Sequence, residues 1–159
     1  MPDWLTHIVI ALVFAELLDV KKKSVVLVGA LLPDLLPKLT LLELFIPIPN
    51  WNYQFLDAFH VPFVLVLVIL LIAPLFRYKY SRIVAWLSLG TLTHLLSDTL
   101  LRHFLGGISW LYPFTTDKHT LNWIWPDQSY VVLIPALLVY FIIILMKKRW
   151  RKNASNHTG

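Results

Sequence analysis

Five apolar stretches separated by short basic runs constrain this chain more than any other feature. Residues 4–20, 24–36, 60–76, 83–101 and 129–146 are apolar enough to span, or nearly span, a bilayer. A crossing takes about 20 residues at ~1.5 Å rise each, and about 17 suffice. The second stretch is short and Pro33 interrupts it near its end, which predicts a helix that stops inside the outer leaflet. Only 14% of the residues are charged and 58% are hydrophobic, against about 25% charged in ordinary soluble domains. That leaves too few polar side chains to coat five apolar helices in water. The expected fold class is an all-α membrane protein, a bundle of about five transmembrane or partly spanning helices. It forms one domain over residues 1–152, followed by a polar tail at 153–159.

Lys and Arg set the expected orientation. Lys21, Lys22 and Lys23 separate the first two stretches, and Arg77, Lys79 and Arg82 separate the third and fourth. Lys147, Lys148, Arg149, Arg151 and Lys152 follow the fifth. Eleven of the fourteen basic residues lie in these runs, and alternating crossings bring all three runs to one side. The positive-inside rule makes that side cytoplasmic, with the N-terminus and the 37–59 and 102–128 connections outside. Trp4, Trp51, Trp110, Trp123 and Trp125 then lie at the outer level, as interfacial aromatics do. Met1-Pro2-Asp3 carries no basic side chain, so the first stretch reads as an anchor and not as a cleaved signal. The formal charge of +5 sits between apolar blocks and not on a polar surface, so no nucleic-acid partner is expected. With no Cys, disulfides, thiolate catalysis and Cys-ligated zinc are excluded.

Ionisable residues inside membrane helices are costly and mark functional sites. Five matter here: His7, Asp34, His60, His94 and Asp98. Counted from the basic runs at ~1.5 Å per residue, they lie about 21, 17, 25, 18 and 24 Å away. Four stretches thus place a His or Asp in one layer about 8 Å thick, toward the outer face. His94 and Asp98, four apart, share a helix face and can hold one cation together. Thr91 lies one turn earlier on that face as a candidate supporting residue, and Arg102 one turn later can pair with Asp98 or with an anionic substrate group. His103 is expected to face elsewhere, and Ser97 to point to a different face from Asp98. Asp57 and His60 repeat the one-turn spacing at the start of the third helix. Carboxylates buried without cations cost several kcal/mol each, so a bound metal explains the layer better than interhelical hydrogen bonds alone. Glu16 and Asp19, near the first basic run, read as a charge pair at a helix end. Asp117, His119 and Asp127 read as solvated loop residues, and Gly106-Gly107 as a turn.

Several of these pieces, taken in order, resemble the YdjM-like family of membrane-bound metal-dependent hydrolases, LexA-regulated in some bacteria. They are the opening Met-Pro-Asp-Trp-Leu-Thr-His7, the Gly-Ala-Leu-Leu-Pro33-Asp34 segment, His60, the Leu-Gly-x-Leu-x-His94-x-x-x-Asp98 helix and Gly-Ile-Ser-Trp110-Leu-Tyr-Pro113-Phe. The resemblance covers the chain from Met1 to about Phe114 and implies a multi-pass hydrolase whose His and Asp bind metal. In motif style the chain is also distantly similar to zinc-dependent phospholipase C and single-strand nuclease enzymes, which use His-x-x-x-Asp on helices. Many relatives carry His-Arg-Gly shortly before the third-helix His. This sequence reads Tyr53-Gln54-Phe55-Leu56-Asp57-Ala58-Phe59-His60 instead, which makes Asp57 the candidate replacement.

The function expected is metal-assisted hydrolysis of a lipid ester or phosphoester from the outer leaflet. The metal ligands would be His7, Asp34, His60, His94 and Asp98, with Asp57 and Arg102 as catalytic residues. Mixed His and carboxylate donors suit zinc best, with manganese or iron as alternatives, and one or two ions. The partners expected are membrane lipid and a lipid-like substrate. A small metal-ion or proton transporter using the same cluster is the alternative. It would need polar residues continuing to the cytoplasmic side, where this chain offers only Glu16 and Asp19.

Overall fold

A computed structural model describes residues 4–39, 58–102 and 106–156. Five α-helices follow one another: α1 (Trp4–Leu17), α2 (Lys23–Leu39), α3 (Pro62–Ile72), α4 (Tyr80–Thr99) and α5 (Tyr130–Asn156). Among the described residues there is no strand, only isolated bridges between Leu101 and Ile124 and between Ile108 and His119. The expected all-helical bundle is what forms.

Helix α1 ends on a local signal that its apolar run does not reveal. Asp19 takes a left-handed conformation (φ 49°), its N–H donates to the Glu16 carbonyl at 3.1 Å, and the Val20 N–H reaches back to Ala15 at 2.9 Å. This pair of bonds closes the helix, and the buried Val20 packs with Ala15 in the same apolar cluster. Helix α3 starts on Pro62, whose fixed φ suits a first turn. It gives way to a 3-10 turn at Ala73–Leu75, where Pro74 can donate no hydrogen bond. The third helix is therefore shorter than the expected 60–76, and His60 sits on a separate 3-10 turn, Ala58–His60.

The second helix departs from expectation in the other direction, because α2 continues through Pro33 to Leu39. Proline removes the N–H that would bond the carbonyl four residues earlier, here Gly29. The Thr91 hydroxyl of α4 donates to that carbonyl at 2.9 Å instead, so the orphaned acceptor is satisfied from outside and the helix persists. The two backbones meet closely enough for this because both helices carry glycine at the crossing. A Cβ on Gly29 would lie 2.2 Å from the Leu87 carbonyl oxygen, and one on Gly90 would lie 1.9 Å from that of Val26. The α2–α4 contact is the most extensive in the bundle, with α1 against both and α5 laid along α1.

Apolar packing fills the end of the bundle below this crossing. Ala11, Ala15, Val20, Val26 and Ala30 form one cluster, and Val25, Ile69, Ala73, Ile83 and Leu87 another. A third, of Leu65, Leu95 and Ile108, ties the 106–125 connection to α3 and α4. Gly107 (φ 115°) makes that connection possible, since a Cβ there would meet the His119 carbonyl at 2.6 Å.

Burial runs opposite to that of a water-soluble domain. Glu16, Asp34, His7, His94, Asp98, Thr93 and Ser97 are buried. Leu5, Phe14, Leu17, Val66, Leu71, Leu92, Leu96, Ile134, Leu138, Phe141 and Leu145 are exposed. An apolar exterior of this extent is at home in lipid. One segment among the described residues, Pro126–Asn153, is long and apolar enough to cross a bilayer, while Trp4–Leu17 and Pro62–Leu75 are apolar but shorter. By length and composition, then, the described structure carries one crossing where the sequence predicts about five. Helix α5 runs on to Asn156, past the expected end of the domain at Lys152.

The three basic runs meet at one end of the bundle. Lys147 pairs with Asp19 and Glu16, Lys23 pairs with Glu16, and the Lys22 ammonium lies 5.2 Å from the ring centre of Tyr78. The expected helix-end charge pair is thus a three-helix junction that includes α5.

Candidate metal centre

Away from the basic end, α1, α2, α4 and the Ala58–His60 turn each direct a His or Asp toward one point. His7 comes from α1, Asp34 from α2 just after Pro33, His60 from the turn, and His94 with Asp98 from consecutive turns of α4. The His7 Nε2 lies 3.3 Å from Asp98 Oδ1, and the His94 Nε2 lies 3.3 Å from Asp98 Oδ2. His60 Nε2 is 3.5 Å from Asp34 Oδ1 and 3.6 Å from Asp98 Oδ2, and His94 Nε2 is 3.8 Å from Asp34 Oδ1. All five expected ligands converge. Four of them are sealed, whereas the His60 side chain keeps 12% of its surface exposed, which puts the open side of the cluster next to His60.

The hydrogen bonds behind the cluster fix how its imidazoles are protonated. His94 Nδ1 lies 2.6 Å from the Ala30 carbonyl, which only accepts, so this nitrogen carries a proton. Ser97 spends its single hydroxyl proton on the His94 carbonyl at 2.8 Å. Toward His7 Nδ1, 2.9 Å away, it can therefore only accept, and that nitrogen is protonated too. In each neutral ring the lone pair then falls on Nε2, the atom facing the carboxylates. Both Nε2 atoms are buried with no hydrogen-bond partner among the described residues. The His7 and His94 rings stack with centroids 3.8 Å apart, a contact that two imidazolium charges would oppose.

Lone pairs of nitrogen facing carboxylate oxygens at 3.3 to 3.8 Å repel one another unless a cation lies among them. The spacing suits one, because donors about 2.0–2.2 Å from a tetrahedral ion stand roughly 3.3–3.6 Å apart. Two groups, His7–His94–Asp98 and Asp34–His60–His94, each have candidate ligand atoms within 4.8 Å of one another. His94 belongs to both and has a single nitrogen left to offer. The buried His and Asp groups can hold a metal ion.

Some of the other residues take different places from those expected. Ser97 is part of the centre: it and Asp98 lie on neighbouring faces, and the His7 ring spans both, Nδ1 to the hydroxyl and Nε2 to the carboxylate. Its position three residues after His94 was the available signal. Thr91 supports the helix crossing and makes its hydrogen bond to Gly29, not to a candidate ligand. The Arg102 Nε donates to the Asn122 carbonyl at 3.0 Å, and its guanidinium lies 4.4 Å from the Trp125 ring centre, on the exposed surface. Asp117, His119 and Asp127 are exposed. Asp57, His103 and the 40–57 segment lie outside the described residues.

An all-helical membrane protein with a polar, cation-ready interior and an apolar exterior is the class these features define. The family model of the YdjM inner membrane protein matches residues 1–157, and the chain belongs to that family. No curated protein and no solved structure matches it.

Proposed function

We propose that this chain is a multi-pass membrane hydrolase that holds one divalent ion, zinc by its donor set, and cleaves a lipid ester or phosphoester from the outer leaflet. The observation that carries the reading is the pair of imidazoles, His7 and His94, each locked by a protonated Nδ1 so that a bare Nε2 faces buried carboxylates. A single ion is favoured because both candidate groups draw on the one remaining nitrogen of His94. Support for several crossings comes from the exposed apolar side chains of α1, α3 and α4, whose short helices a locally thinned bilayer accommodates.

The chemistry a divalent ion brings to such a donor set is polarisation of an ester or phosphoryl oxygen and acidification of water. The chain's own contribution is positional. Asp34, His94 and Asp98 stay rigid on the α2–α4 crossing, and His60, on the partly open side, borders the approach for a substrate. Asp57, three residues before His60, is the proposed general base. Arg102 is the proposed anchor for a substrate phosphate or carboxylate, its guanidinium already oriented by Trp125. Against a transport pathway weighs the tightly packed layer of Ala11, Ala15, Val26 and Ala30 on the basic side of the cluster.

The test is metal analysis of the purified chain beside turnover on lipid phosphoesters in micelles with added zinc or manganese. The parent protein should retain about one ion, while His94→Ala and Asp98→Asn lose it together with turnover. Asp57→Asn should keep the ion yet slow turnover about 10²–10⁴-fold. Full activity of His94→Ala after chelation would end the proposal, and bound metal with vesicle flux but no hydrolysis would transfer the case to the transporter.

A further inference from the structure

At the opposite end of the bundle from the metal centre, a cavity of about 250 Å³ is lined by Glu16, Lys23, Ile144, Lys147, Lys148 and Arg151. Four of these side chains are cationic and one is anionic. Glu16, only 6% exposed at its side chain, is engaged by Lys23 and Lys147, and Lys147 also pairs with Asp19. Lys148 and Arg151 are left without an ion pair among the described residues. Three residues apart on α5, they project from one helix face. The pocket's one carboxylate is therefore engaged by Lys23 and Lys147, while Lys148 and Arg151 line it without a direct ion pair.

We infer that this cavity is a binding site for the phosphate of an anionic phospholipid. Arg presents a fork of donors that matches phosphate oxygens, and Lys adds a mobile point charge. A lipid is favoured over a free anion because α5 continues from the pocket as an uncovered apolar strip. Phe141, Ile142, Leu145 and Met146 are exposed beside the half-buried Ile144. A phosphate in the cavity with acyl chains along that strip uses both features, whereas a free anion uses only the first. Basic pockets between helices at a membrane surface hold acidic headgroups in this way. The site is separate from the proposed hydrolytic centre, so it stands or falls independently of that activity.

Full-length protein in neutral detergent is titrated with phosphatidylglycerol, phosphatidylcholine or inorganic phosphate, and bound lipid is read by native mass spectrometry. Phosphatidylglycerol should bind in preference to phosphatidylcholine. Lys148→Gln with Arg151→Gln should weaken phosphatidylglycerol binding about 25-fold, roughly fivefold for each cation removed. Ile144→Trp, which fills the cavity and leaves every charge in place, should weaken it as well. Lys79→Gln with Arg149→Gln removes two cations outside the cavity lining and should leave binding unchanged. Equal loss in that control pair would mean general surface attraction and overturn the site. Retention of the preference in both cavity variants would overturn it too, and millimolar inorganic phosphate displacing the lipid would overturn the assignment to lipid.

Discussion

Replacing Gly90 with alanine adds one methyl group at the tightest of the described glycine positions. The new Cβ would lie 1.9 Å from the Val26 carbonyl oxygen and 2.6 Å from the Ala30 nitrogen, both backbone atoms that no rotamer change can move. Ordinary contact begins at 3.4 Å, so α2 and α4 must part by about 1.5 Å. Two hydrogen bonds cross the same seam, Thr91 to Gly29 at 2.9 Å and His94 Nδ1 to Ala30 at 2.6 Å. A shift of ~1.5 Å carries both beyond bonding range. Overpacking costs about 1–3 kcal/mol and each lost hydrogen bond about 1 kcal/mol, so the total is roughly 3–5 kcal/mol. That is a large part of the ~5–15 kcal/mol holding a typical domain together. The same shift moves His94 relative to Asp34 and frees its tautomer, so bound metal should fall with stability. Thermal unfolding and metal content, measured on Gly90→Ala and on Leu92→Ala from the exposed face of α4, would check this. Parental stability and metal content in Gly90→Ala would refute the idea that the crossing sets the site.

Three further outcomes are expected. Ser97→Ala deprives His7 Nδ1 of its acceptor and should lower metal affinity about 10–100-fold with helix content intact, as read by metal titration and circular dichroism. Thr91→Val leaves the Gly29 carbonyl without the hydroxyl that replaces the missing Pro33 N–H. It should cost about 1–3 kcal/mol in thermal unfolding while sparing metal stoichiometry. A reporter fused after Lys152 should appear cytoplasmic and one inserted near Asn50 outside; the reverse pattern would invert the site's location.

The candidate ligands were legible because ionisable residues stand out against apolar helices, and a count of residues from the basic runs places them at one depth. What the count could not supply was the lateral arrangement. Gly29 and Gly90 look like two unremarkable small residues until the backbones they bring together are seen, and Pro33 reads as a helix end because the hydroxyl that rescues it, from Thr91, lies 62 residues beyond the Gly29 carbonyl it bonds. Ser97 does stand on a different face from Asp98, as helical spacing implies, and joins the centre only because the His7 ring is wide enough to bridge the two faces. The helix ends escaped the count for a related reason. Apolar runs report what a helix touches and not how long it is, and the ends of α1 and α3 are set by Asp19 and by prolines.

Among the described residues, every candidate metal ligand comes from residues 7 to 98, and α5 contributes none. This divides the chain into two parts under different evolutionary pressure. Substitutions at the α2–α4 seam answer to clearances of a fraction of an ångström and should be almost intolerable. The outward face of α5 answers only to its surroundings, so Leu, Ile, Val and Phe there should interchange freely as bilayers differ between hosts. Between these extremes sits Lys147, whose contacts with Glu16 and Asp19 dock the permissive helix onto the constrained one. Among relatives, drift along α5 should halt at that residue, at its neighbours Lys148 and Arg151 in the basic cavity, and at the carboxylates Lys147 meets.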